Sequence, residues 1–164
     1  MSSFGNYMKD GKLYYVCRVF DEQSSSEWIE TIQSFDLASG RVESLTETIR
    51  TTQTSYGRYS LCGFYGDQML YWVNKYSDEM DEGLLLALNP ENGEQTTLLT
   101  AKSGDIGPLY MLDEQLLVQV ETGDAPVLYD VNPETGELRR EELPFGDNEN
   151  FCGMLDGKYY TRVW

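Results

Sequence analysis

The sequence predicts an all-β chain built from repeated four-stranded antiparallel units, and three observations carry that prediction. A turn followed by an aromatic-aliphatic run occurs four times: Asp10-Gly11-Lys12-Leu13-Tyr14-Tyr15, Gly66-Asp67-Gln68-Met69-Leu70-Tyr71, Asp113-Glu114-Gln115-Leu116-Leu117-Val118 and Asp156-Gly157-Lys158-Tyr159-Tyr160. An apolar run closed by a glycine turn occurs three times: Phe35-Asp36-Leu37-Ala38-Ser39-Gly40, Leu88-Asn89-Pro90-Glu91-Asn92-Gly93 and Val131-Asn132-Pro133-Glu134-Thr135-Gly136. No segment shows the 3.6-residue apolar spacing of an amphipathic helix, whereas short runs rich in Tyr, Val, Leu and Trp are bounded by Gly, Asn, Asp and Pro, which is strand punctuation. Lys12, Gln68, Gln115 and Lys158 lie 56, 47 and 43 residues apart, and Gly40, Gly93 and Gly136 lie 53 and 43 apart. A repeat at such a period decides architecture before chemistry.

Each unit divides into strands A to D. In the second, A is expected near Ser60–Tyr65, B near Met69–Asn74, C near Gly83–Leu88 and D near Glu94–Thr100. The A–B turns, Asp10-Gly11, Gly66-Asp67, Asp113-Glu114 and Asp156-Gly157, carry residues that accept the positive φ of tight hairpins. The C–D turns carry Asn-Pro-Glu-x-Gly, or Asp-Leu-Ala-Ser-Gly in the first unit, where proline pre-sets one turn residue and glycine takes the left-handed one. Strands B and C, such as Met69–Val73 and Leu84–Leu88, read as continuous apolar runs, as strands buried on both faces do. The D strands (Arg41–Leu45, Glu94–Leu98, Glu137–Glu141) are polar, as an outer edge that resists pairing must be. Apolar inner strands and a charged outermost one, repeated at forty-odd residues, form the pattern of a β-propeller blade. Cys62-Gly63 and Cys152-Gly153 stand at equivalent places and support the alignment.

The expected blades span about 3–48, 58–102 and 105–143, with a half-blade at 150–164, in one propeller segment covering 1–164. This gives 14 strands and an incomplete ring, since six blades of roughly 43 residues would need about 260. The expectation is a fragment of a longer protein or a chain that associates through its exposed blade faces. A single β-sandwich is the competing arrangement, and the evenly repeated polar D strands argue against it.

With Asp10-Gly11-Lys12 to Tyr15, Asp130 to Glu137 and Asp156-Gly157-Lys158 in view, the chain resembles the blades of TolB-like bacterial propellers over nearly its whole length. The resemblance implies a secreted or cell-envelope protein. It does not choose among the binding platforms, sensors and few enzymes that share the blade.

Composition narrows the partners. The net charge of −16 and pI near 4.2 repel phosphate backbones and anionic membrane surfaces, so neither nucleic acid nor membrane insertion is expected. The longest apolar runs are too short to cross a bilayer, and Met1–Gly5 lacks the basic region and apolar core of a signal peptide. Cys17, Cys62 and Cys152 read as small buried apolar residues, with Cys62 and Cys152 in non-adjacent blades, too far apart to bridge.

Histidine is absent, which removes Ser-His-Asp and Cys-His catalysis and the commonest metal ligand. Cysteine–zinc spacing and glycine-rich phosphate loops are also missing. The expected function is therefore a non-catalytic binding or interaction platform without a cofactor. The alternative is part of a propeller hydrolase or lyase whose catalytic carboxylates lie largely on other blades. In a four-stranded blade the B–C and D–A connections share one end, and here they are the long ones: Asp21–Glu27, Thr46–Arg58, Ser77–Glu82 and Gly146–Asn150. Variable loops on a rigid scaffold are where binding usually lives. On that face Trp28, Arg50, Tyr56 and Arg58 are the candidate contacts for a protein, peptide or glycan. Asp78, Asp81, Asp147 and Glu149 are weak candidates for Ca²⁺, since they lack the spacing of an EF-hand loop. The B-strand aromatics are expected to fill the space between blades.

Overall fold

The computed structural model describes residues 5–20, 27–52, 55–77, 81–112, 115–121, 126–141, 149–155 and 158–163. They form four antiparallel sheets, each in chain order except that the fifth strand of the first sheet returns to pair with its third. The first holds β1 (Tyr7–Lys9), β2 (Lys12–Phe20), β3 (Trp28–Asp36), β4 (Val42–Ser44) and β5 (Ile49–Thr51). The second holds β6 (Ser55–Tyr65), β7 (Gln68–Ser77), β8 (Glu82–Leu88) and β9 (Gln95–Lys102). The third holds β10 (Asp105–Leu112), β11 (Gln115–Glu121), β12 (Pro126–Val131) and β13 (Leu138–Glu141), and the fourth β14 (Glu149–Leu155) and β15 (Lys158–Val163). No helix among the described residues is long and apolar enough to cross a membrane.

The repeated turns are built alike. Asp36, Asn89 and Asn132 each open the same loop: the first residue's carbonyl accepts from the glycine N–H at 2.8, 2.9 and 2.8 Å, and its own N–H donates one residue beyond, to Arg41, Glu94 and Glu137. The opening side chain folds onto the turn as well. Asp36 Oδ1 accepts from Ala38 N–H and Ser39 N–H, Asn89 Oδ1 from Glu91 N–H, and Asn132 Oδ1 from Glu134 N–H and Thr135 N–H. Such Asx turns bend the chain before the left-handed glycine closes it, with φ of 72°, 76° and 72° at Gly40, Gly93 and Gly136. The bonds from Ser39 hold the Asp36 carboxyl below its ordinary pKa. In the first A–B turn Asp10 and Gly11 both have positive φ, the geometry that matches strand twist in two-residue hairpins. Asp113-Glu114 and Asp156-Gly157 lie outside the described residues.

The shared Cys-Gly pairs mark a common irregularity. In β6, Leu61 faces Tyr71 and Gly63 faces Leu70, leaving Cys62 as the extra residue. In β14, Phe151 faces Thr161 and Gly153 faces Tyr160, leaving Cys152 extra. Both are β-bulges, which bend one strand and increase its twist.

Alternation along the strands distributes the core between sheets. Tyr14 and Ile32 of the first sheet pack with Tyr59, Leu61, Met69, Tyr71 and Val73 of the second. On the other face of the second sheet Leu70, Leu85 and Ala87 pack with Ile106, Leu116 and Val118 of the third. Tyr14 and Tyr71 fill these spaces as expected from B-strand aromatics, while Tyr160 is 49% exposed.

Three expectations are corrected. The outer strand of the first sheet is broken into β4 and β5, so the described residues form fifteen strands rather than fourteen. Both Leu45 and Thr46 turn onto Ile32, whose carbonyl accepts from Leu45 N–H at 2.9 Å and whose N–H donates to Thr46 Oγ1 at 3.0 Å. The chain leaves the ladder there and rejoins β3 where Glu30 faces Ile49. The outer strand of the second sheet is polar only in its first half, since Leu98, Leu99 and Ala101 of β9 are buried in the core shared with the third sheet. Cys17 and Cys62 are half-buried rather than buried. Cys17 alternates with the core residues of β2 and falls on the face turned away from the second sheet. Burial nonetheless pushes the Cys62 thiol well above its ordinary pKa.

Candidate functional site

The segment expected as a long loop from Thr46 to Arg58 is mostly strand. Ile49–Thr51 is β5, and Ser55 to Arg58 begin β6. The corner between them is tight: Thr52 N–H donates to the Ser55 carbonyl at 2.7 Å, and Ser55 N–H donates to Thr52 Oγ1 at 3.1 Å. Trp28 opens β3, directly after the expected Asp21–Glu27 connection. All four candidate contacts are therefore on strands, and strand register gathers them at one end of two neighbouring sheets. Trp28 faces Thr51, Ile29 faces Arg50 and Tyr56 faces Tyr76.

A cleft of about 310 Å³ opens at this end. Arg50 contributes from β5, Tyr56 and Gly57 from β6, Lys75 and Tyr76 from β7, and Glu82 from β8. Gly57 allows the two sheets to meet here. A β-carbon on it would stand 2.6 Å from Ile49 Cγ2, closer than side chains approach. Arg50 Nη1 donates to Glu27 Oε2 at 3.0 Å across the rim. Tyr56 lies against Tyr76 with ring centroids 5.1 Å apart, and the Arg58 guanidinium sits 5.3 Å from the Tyr56 ring. Burial, reinforced by a hydrogen bond with the Asp105 carboxylate, raises the Tyr76 phenol above its ordinary pKa.

The cleft unites Arg50 with Tyr56. Trp28 and Arg58 do not line it. Trp28 is held instead against Phe20, at 3.6 Å between ring centroids, with the Arg18 guanidinium 5.7 Å from its ring. Both rings proposed for ligand stacking thus already contact a second ring and a guanidinium, an arrangement of quadrupole and cation that stabilises each in place. Lys75 and Tyr76 were not anticipated, while Glu82 was expected on this face as the end of the Ser77–Glu82 connection. The signal for Lys75 and Tyr76 is the alternation Val73-Asn74-Lys75-Tyr76-Ser77, which carries β7 past the apolar run.

Behind the cleft, the seam between the first two sheets holds an ion pair whose carboxylate is buried and whose guanidinium is partly exposed. Glu30, 2% exposed, takes the Arg18 guanidinium on Oε1 and the Tyr59 N–H on Oε2 at 2.9 Å. A second cavity of about 240 Å³ runs along this seam beside Glu47, Tyr59, Tyr71 and Lys75. Lys75 therefore borders both spaces. A third, of about 270 Å³, lies near the C–D turn of the third sheet beside Tyr65, Asn132 and Arg139.

Of the Ca²⁺ candidates, Asp78, Asp147 and the Glu149 side chain lie outside the described residues. Asp81 is described, and among the described residues no three metal-capable side chains converge.

No protein-family model matches the chain, and no curated protein matches its sequence.

Proposed function

We propose that the four sheets are blades of a TolB-like propeller, and that the chain is a non-catalytic platform binding a protein or peptide at the cleft between β5, β6, β7 and β8. The observation that carries this reading is the placement of Arg50 and Lys75 around one cleft in a chain of net charge −16. Arg50 and Lys75 outnumber Glu82 in the cleft lining, so an acidic segment that competes with Glu27 for Arg50 is favoured there and steered in its approach. The aromatic rings at this end are occupied by neighbouring rings and guanidinium groups, so they offer edges and hydroxyls rather than free faces for a sugar. That favours polypeptide over glycan. The absence of histidine from the sequence favours binding over catalysis.

The test is a peptide array of graded charge, run beside a glycan array, probed with wild-type protein and with Arg50→Ala and Lys75→Ala. Wild type should select Asp- and Glu-rich peptides, and each substitution should weaken that binding about tenfold, or about 1.4 kcal/mol. Selection of glycans alone, or acidic peptides bound equally by all three proteins, would sink the proposal.

A further inference from the structure

The sheets repeat their packing position by position, and one face breaks the repeat. Residues one and three places after the start of β7 and of β11 point to the preceding sheet. In the second sheet these are Met69 and Tyr71, exposed by 0% and 2%, and in the third Leu116 and Val118, exposed by 1% and 0%. Their counterparts in the first sheet, Leu13 and Tyr15, are only half-buried. Around them on the same face, Met8 is 58%, Val19 49% and Val42 52% exposed. Register confirms the shared face, since Met8 faces Leu13, Leu13 faces Phe35 and Phe35 faces Val42. Among the described strand residues of this face there is no Asp or Glu, although the chain has 28 of them.

From this geometry we infer that the outer face of the first sheet is an interface for a second copy of this chain, joined face to face about a two-fold axis. Three arguments select that occupant. The equivalent positions on the next two sheets are covered by a sheet face, so this surface has the relief that a sheet fits. Its lack of carboxylates lets two strongly acidic molecules meet without repulsion across the contact, and a self-complementary patch closes as a dimer. Its size fits a weak self-association: the 27 strand residues of this sheet, at about 3.3 Å by 4.8 Å each, cover about 430 Å² a copy, or roughly 860 Å² over both. The two-stranded β14–β15 sheet of a second copy would cover less than half of it.

Sedimentation of the 164-residue chain over a concentration series tests this. Wild type should form a discrete dimer in the micromolar range, about −8 kcal/mol or weaker, that tightens as salt screens the net charge. Val19→Lys with Val42→Lys should raise the dissociation constant at least about tenfold while circular dichroism stays unchanged. Leu138→Lys, at an exposed apolar residue of β13, and Tyr160→Lys should both leave the dimer intact. A wild-type monomer at every concentration would overturn the inference. So would a dimer that survives the double substitution, one dissolved by Tyr160→Lys, or one that weakens with salt.

Discussion

The seams on either side of the second sheet solve one problem with different chemistry. At the first seam the Tyr59 N–H is accepted by Glu30, a buried carboxylate paired with Arg18. At the second, 47 residues on, the Ile106 N–H is accepted by Asn74 Oδ1 at 3.0 Å, and Asn74 Nδ2 donates to the Ile106 carbonyl at 3.0 Å. Tyr59 and Ile106 are equivalent in the repeat, as are Arg18 and Asn74. The partner facing each across the B–C ladder is Glu30 in one case and Gly83 in the other. The repeat thus conserves the backbone group that must be satisfied and leaves the side chain that satisfies it free to differ. A buried backbone amide without a partner would cost about 1–3 kcal/mol, so each seam has to provide one.

The largest effect expected from breaking this comparison is at the charged seam. Glu30→Ala leaves the Tyr59 amide unpaired, at about 1–3 kcal/mol, and takes the carboxylate from an Arg18 whose side chain is 26% exposed, at up to about 1 kcal/mol more, for a total of about 2–4 kcal/mol. Urea unfolding should show a loss of that size. A loss under about 1 kcal/mol, the worth of an exposed pair, would mean that solvent reaches the seam.

At the neutral seam the sharper perturbation is steric. A β-carbon on Gly83 would lie 2.8 Å from Asn74 Oδ1 and 2.9 Å from Ile106 N, between the two partners of the clamp. Gly83→Ala should destabilise by about 1–3 kcal/mol through overpacking. Combining it with Asn74→Ala should cost less than the sum of the two singles, because both remove the same clamp. Strict additivity would show that the clamp contributes nothing.

The smallest effect is at high pH. Burial raises the Tyr59 and Tyr71 phenols of the first seam above their ordinary 10.0. Below that value both the folded and the unfolded chain keep these protons, and stability is unaffected. Above it the unfolded chain ionises first, so the unfolded state binds fewer protons and stability falls as pH rises. Tyr71→Phe should flatten that fall in a series of unfolding curves above pH 10, at the expense of the Tyr71 hydrogen bond to Gln95. An unchanged slope would mean that the Tyr71 phenol meets solvent in the folded chain.

The turns and inner strands were legible in the sequence because their chemistry is local. Asp36, Asn89 and Asn132 each shape a loop of their own neighbours, and the Cys-Gly pairs marked equivalent positions, although the bulge they share was not read. The segment from Thr46 to Arg58 was misread because Ile49-Arg50-Thr51 and Ser55-Tyr56-Gly57-Arg58 are polar and short. Pairing with β3 and β7 makes them strands, and pairing is not written in either sequence. The candidate site was half-legible for the same reason: Arg50 and Tyr56 were found and Glu82 was placed on the right face, while Lys75 and Tyr76 join them only through register. Nor could the seams be read ahead, although Glu30 inside Trp28-Ile29-Glu30-Thr31-Ile32 is a charge in an apolar strand. Its partner amide is 29 residues away.

Because Tyr59 and Ile106 donate to side chains of the preceding sheet, their amide protons are sealed by contact between sheets and not by the ladders within them. Hydrogen exchange at these two amides therefore measures the parting of neighbouring sheets, whereas ladder amides measure the melting of a single sheet. If the two classes exchange with one free energy, the array melts as a unit. If the Tyr59 and Ile106 protons leave first, the molecule is a chain of separately stable sheets, and the gap between the two free energies is the strength of the coupling that joins one repeat to the next.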